Sequence, residues 1–141
     1  MTQLNFKISE LIHSDEANKR KIDNTPDINS LDNMLELIVY CLQPIRDMVG
    51  LPMNISSGYR CKALNDTIKG AKNSEHLKGM ACDFTIKGWT AKEAYEYIKK
   101  NKFKYTQLIL EKNQWVHISY NKKDLKQENL IYDGKKYILD K

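Results

Sequence analysis

From Leu31 the apolar positions Met34, Leu35, Ile38, Val39, Leu42, Ile45, Met48 and Val49 follow one another at helical spacing, which predicts an amphipathic helix with one face in a core. Ser30 is its expected N-cap and Gly50 its stop. Pro44 falls inside the pattern, where a missing N–H and a ring clash predict a kink. Upstream, Phe6 to Lys21 reads as one or two short helices. Ser9 and Ser14 are their candidate N-caps, with Asp15 and Glu16 in the first turn behind Ser14. Residues 1–29 are thus expected to form a helical arm docked on the rest.

Downstream the period shortens to two. Met80, Cys82, Phe84 and Ile86 alternate with Ala81, Asp83 and Thr85, so this segment is a strand whose second face carries Asp83. Before it come a short β-prone stretch, Met53 to Ser57, a short helix from Cys61 to Ile68 ending at Gly70, and a polar loop, Ala71 to Lys78. After it, Thr90 with Glu93 three residues on makes a capping box for a helix to Asn101. Gln107–Glu111 and Gln114–Ser119 form a hairpin turning at Lys112 and Asn113. Its core face carries Leu108, Leu110, Val116 and Ile118, and its opposite face Ile109, Glu111, Trp115, His117 and Ser119. Asp133-Gly134 marks a further hairpin within Ile131 to Leu139. The expected fold is α+β, with helices packed on a mostly antiparallel sheet. A length of 141 residues fits a single domain, 1–141.

Composition narrows the class. Hydrophobic residues at 41% and charged residues at 29% are ordinary for a globular chain and exclude a disordered, fibrous or disulfide-dense one. The most apolar window, Met34 to Val49, is broken by Glu36, Gln43, Pro44, Arg46 and Asp47 and falls short of the roughly 20 apolar residues of a membrane span. The first 25 residues contain four acidic side chains and no apolar h-region, so the expectation is a chain that is cytoplasmic as synthesised. Cys41, Cys61 and Cys82 are an odd number without a C-x-x-C pair, which predicts reduced, inert thiols. The net charge of +5 suits polyanionic surroundings, and no recognised nucleic-acid motif accompanies the lysines.

The chemistry concentrates in few residues. In Ser74-Glu75-His76-Leu77-Lys78-Gly79-Met80-Ala81-Cys82-Asp83, a loop histidine and a strand aspartate reach the same sheet edge. If the strand of His117 pairs nearby, a His-Asp-His set results, open at a fourth position as in hydrolytic rather than structural zinc sites. Such ligands also accept other first-row ions. His13 stands apart and reads as a surface residue.

The ten-residue run resembles the S-x-H-x-x-G-x-A-x-D signature of the zinc D-alanyl-D-alanine peptidases. Ser56-Ser57-Gly58-Tyr59-Arg60, followed by Asn65, resembles their upstream S-G-Y-R segment, and Trp115-Val116-His117-Ile118-Ser119 their W-V-H-I-S strand. Similarity extends from about Phe6 to Tyr120, because Leu42-Gln43-Pro44-Ile45-Arg46 is also similar to a helix of phage-type members. The resemblance implies the fold shared with the hedgehog signalling domain, zinc on His76, Asp83 and His117, and Arg60 as the group that stabilises the oxyanion. Without it, Arg60 reads as a surface salt bridge. Ser74 is a candidate to bind the substrate backbone or simply to shape its loop. Trp115 either lines the cleft or packs.

Glu111 is the expected general base, diagonal to His117 if it faces Trp115 across the hairpin; the alternative is a solvated hairpin end. The chain departs from the vancomycin-resistance dipeptidases, which have a Glu where Gln114 stands, and from some carboxypeptidases, which have a His where Trp115 stands. Glu111 resembles the phage and prophage branch. The expected function is hydrolysis of D-residue peptide bonds in a peptidoglycan stem peptide or cross-bridge, by a monomer of the endolysin type acting on the wall after release or by a carboxypeptidase. A non-catalytic, zinc-stabilised binding module on the same fold is the alternative, and a basic nucleic-acid-binding domain a third reading.

Overall fold

The computed structural model describes residues 3–141; Met1 and Thr2 of the expected arm lie outside them. The long apolar periodicity becomes α3 (Ile28–Leu37), a single wide π turn (Ile38–Leu42) and α4 (Gln43–Val49), ended by Gly50 in the left-handed conformation with φ 72°. Pro44 therefore produces a widened turn. It sits in the first turn of α4, where its absent N–H is not required, and the π turn before it accommodates the ring. The N-cap is Asp27 rather than Ser30: its carboxylate accepts the Ser30 N–H at 2.7 Å, while Ser30 itself is buried in the first turn. Met34, Leu37, Ile38, Cys41, Leu42 and Ile45 fill the core from this one segment.

The arm forms α1 (Ile8–Ile12) and α2 (Asp15–Arg20). Ser14 caps α2 as expected, accepting from the Ala17 N–H at 3.1 Å, but Ser9 lies within α1, whose boundary residue is Lys7 with Glu10 bonded back to its N–H. The arm is part of the core. Leu11 is fully buried, and a side chain on Gly58 would overlap the Leu11 backbone, its Cβ 2.7 Å from Leu11 Cα. Asn24, buried, donates to the carbonyls of Ile12 (2.8 Å) and Tyr59 (3.0 Å) and accepts from the Cys61 N–H (2.8 Å).

Six strands form one sheet in the order β1 (Met53–Ser57), β2 (Ala81–Ile86), β4 (Trp115–Ser119), β3 (Gln107–Glu111), β5 (Glu128–Tyr132), β6 (Tyr137–Leu139). Every neighbouring pair is antiparallel except β3 with β5, which is parallel, so the sheet is mixed and mostly antiparallel. The fold is α+β, as expected. Gln114 belongs to the β3–β4 turn, its N–H bonded to Glu111 at 2.8 Å, with Lys112 and Asn113 both at positive φ.

One sheet face packs on the helices through Phe84, Leu108, Leu110, Val116 and Ile118. α6 (Ala91–Lys100) covers that side, its capping box formed by Thr90 and Glu93. Between β1 and β2 lie α5 (Lys62–Thr67), capped by the Cys61 thiol, and a 3-10 turn, Glu75–Lys78. The three thiols are free, and burial raises those of Cys41 and Cys82. Among the described residues no helix is long and apolar enough to cross a membrane.

Candidate metal centre and its cleft

Strand pairing sets the geometry. Asp83 on β2 stands directly opposite His117 on β4, and Ser57 on β1 opposite Asp83. His76 comes from the 3-10 turn just before β2, closed by Gly79 at φ 72°. Its Nδ1 lies 2.7 Å from the Gly58 carbonyl. A carbonyl can only accept, so Nδ1 carries the proton and Nε2 presents its lone pair. That Nε2 is 3.4 Å from Asp83 Oδ1, and His117 Nδ1 is 3.0 Å from the same oxygen.

One donor atom from each of the three residues falls within 4.8 Å of the others. Ligand bonds of about 2.0–2.1 Å to a tetrahedral zinc place neighbouring donors about 3.3 Å apart. The two separations bracket that value, so the residues fit a zinc ion. Electrostatics agree. Burial pushes the His76 imidazole below its ordinary pKa against the pull of Asp83, favouring the neutral form that ligates. Burial would raise the Asp83 carboxyl, but the His117 and His76 imidazoles beside it outweigh that and hold the group ionised well below the usual carboxylate range.

The centre opens into a cleft of about 570 Å³, also lined by Arg60, Glu111 and Trp115. Arg60 follows the Ser57-Gly58-Tyr59 turn, and its backbone N–H donates to the His76 carbonyl at 3.0 Å, tying the two loops together. Its Nη1 donates to Asn65 Oδ1 at 3.1 Å, and Asn65, fully buried, donates in turn to the Ala71 carbonyl at 3.0 Å. Gly70 makes this possible. A Cβ there would strike Asn65 Oδ1 and lie 2.7 Å from Arg60 Nη1. Arg60 Nε is buried without a protein partner, a donor left for a ligand.

Glu111 faces Trp115 across the hairpin, and Ile109 faces His117, so Glu111 is diagonal to His117 on the cleft face. Burial raises its carboxyl above the ordinary glutamate value, against a lowering by His117. Trp115 is half-buried in the cleft, with Lys112 Nζ 5.9 Å from its ring. Ser74 lines the cleft too, and its Oγ accepts the His76 N–H at 3.1 Å. His13 is on the surface, 3.0 Å from Asp15.

Several cleft residues escaped the sequence reading. Glu75, with one buried oxygen lacking a partner, had only its neighbour His76 as a signal. Leu130, Tyr132 and Tyr137 reach the cleft because β5 joins β3 in parallel, a long-range pairing that local pattern does not encode. Gly70 is the expected end of the short helix, and it is Lys69 before it that takes the left-handed conformation, at φ 59°.

A family model described as Peptidase M15 matches residues 4–119. No curated protein matches the chain. The matched span contains Arg60, His76, Asp83, Glu111 and His117 and covers well over half the sequence. A peptidase family whose members are typically zinc-dependent and a His-Asp-His cluster dimensioned for that ion agree with each other. The chain belongs to the Peptidase M15 family.

Proposed function

We propose that this M15 peptidase hydrolyses D-amino-acid-containing peptide bonds of bacterial peptidoglycan, with zinc held by His76, Asp83 and His117. The observation that carries the reading is a half-buried carboxylate, Glu111, on the same cleft face as a zinc-sized His-Asp-His set. When bound, zinc supplies Lewis-acid chemistry that activates water near neutral pH and polarises a carbonyl. Glu111 accepts the proton of the attacking water and returns it to the leaving amine; its raised pKa suits both transfers. Arg60 directs its guanidinium at the carbonyl oxygen, with Nε free of protein partners and Nη1 fixed by Asn65. A planar donor held in this way stabilises the developing oxyanion. Trp115 lines the cleft beside the bond, and Ser74 shapes the loop that presents His76.

The phage-type placement of Glu111 supports an endolysin that reaches the wall after release, ahead of a carboxypeptidase. A non-catalytic zinc-stabilised module would gain ground with Glu111 turned away from the cleft; that it lines the cleft favours the peptidase. The test is digestion of purified peptidoglycan with and without a chelator, the fragments being identified by mass spectrometry. Chelator-sensitive release of new amino groups is expected. Zinc bound at one per chain with no release from several wall chemotypes would establish the binding module instead.

A further inference from the structure

The β5–β6 hairpin lies outside the family match, which ends at residue 119, yet it continues the cleft. Register places two cleft-facing rows side by side across the sheet. One runs from Asp83 through His117 and Ile109 to Leu130; the other runs from Trp115 through Glu111 and Tyr132 to Tyr137. All eight residues line the cleft.

The tyrosine rings stack with centroids 4.5 Å apart and planes 30° from parallel, presenting one aromatic surface at the end of the second row. The hairpin is fastened at its far end. Asp140, just after β6, accepts from Tyr95 Oη at 2.7 Å and Lys99 Nζ at 3.0 Å, and its N–H donates to the Asn129 carbonyl at 2.8 Å. Tyr95 is itself fully buried on α6. The aromatic wall is therefore held in place by the core.

Resting on the peptidase reading above, we infer that the Tyr132–Tyr137 wall and the Ile109–Leu130 floor form an extended subsite selecting peptides longer than the reacting pair of residues. Three strand spacings of about 4.8 Å separate β4 from β6, about 14 Å in all. An extended peptide advances about 3.3–3.6 Å per residue, so about four residue steps carry it from the centre to Tyr137. The floor is apolar and the wall aromatic, so the peptide's residues pack on them by burial of apolar surface. A substrate that stops at a dipeptide leaves this part of the cleft unused.

The test uses zinc-loaded protein and two synthetic substrates sharing the bond named by the wall digest. One is the dipeptide; the other carries three further residues on each side. Wild type is expected to prefer the longer peptide in kcat/KM, and Tyr132→Ala with Tyr137→Ala to reduce that preference at least about tenfold, mainly through KM. Tyr137→Ala alone, at a side chain 58% exposed, reports the same direction if the double variant is unstable. Phe at both positions should restore the preference, because the ring faces and not the hydroxyls make the wall. An equal loss on both peptides, an unchanged preference, or no preference in wild type would overturn the inference and leave the peptidase reading standing. Hydrolysis of neither peptide by zinc-loaded wild type would also overturn the inference, whereas no release in the wall digest itself would defeat the peptidase reading and this inference with it.

Discussion

Substituting Gly70 by Ala tests whether close packing around Arg60 is what makes the cleft competent. Gly70 does not have a positive φ, so alanine meets no torsional penalty and the effect is steric. The new Cβ overlaps Asn65 Oδ1 and lies 2.7 Å from Arg60 Nη1. Asn65 is 1% exposed and pinned to Ala71, so it cannot rotate away without stranding a buried polar group. Overpacking costs about 1–3 kcal/mol, and the lost hydrogen bond from a charged donor about 1.5–3 kcal/mol. With partial relaxation we expect a loss of about 3 kcal/mol and a Tm lower by about 10 °C. Displacing Arg60 by about 1 Å should reduce kcat/KM about a hundredfold, with zinc content unchanged because no ligand moves. Calorimetry, metal analysis and steady-state kinetics on a released wall peptide read these three quantities. Adding Asn65→Ala to Gly70→Ala should cost much less than Asn65→Ala does alone, since both act through the same contact. A Gly70→Ala protein with full activity, or fully additive losses, would refute the packing argument.

Glu111→Gln should retain zinc and lose about 10²–10⁴-fold in kcat, the usual contribution of a positioned base. In the zinc-free protein burial raises the Glu111 carboxyl, so its titration followed by NMR should lie above the ordinary glutamate range and disappear in Glu111→Gln. A carboxyl titrating at the ordinary value would show that Glu111 is not buried in the cleft. Asn24→Ala removes the bonds to Ile12, Tyr59 and Cys61 at once and leaves buried groups unpaired, a cost of about 2–4 kcal/mol. Urea unfolding should show a lower midpoint at unchanged m-value, and an unshifted midpoint would show that the arm is not braced there.

What was legible in the sequence was whatever local chemistry dictates. Thr90 with Glu93, Ser14 with its acidic turn, and the alternation around Asp83 each specify a backbone state within a few residues, and each matches the structure. The Glu111–Trp115 pairing was only a condition on the expected hairpin: a turn of Lys112 and Asn113 alone would set Glu111 opposite Gln114, and Glu111 meets Trp115 because Gln114 joins the turn. Choices between near-equivalent neighbours were not legible. Asp27 and Ser30 are both good caps, and tertiary burial of Ser30 decided between them. Gly70 could serve torsion or space, and only the position of Asn65 shows that it serves space. The tyrosine wall depends on a strand that crosses from β4 to pair with β3, so no local period announces it.

The wide turn at Ile38–Leu42 carries a consequence for chain length. A π turn holds one residue more than the helix around it needs, and confines the slip to a single turn, so the segments before and after keep their core faces. Met34 and Leu37 on one side and Ile45 on the other are fully buried, whereas Val39 and Tyr40 within it are exposed. The segment thus behaves as a helix with a built-in insertion. Removing one residue there should be the inverse operation, closing the turn to ordinary pitch, but only if Pro44 is replaced together with it, because a regular helix has no room for the ring. Length and proline are coupled characters in this chain, and a variant that changes either alone should be less stable than one that changes both.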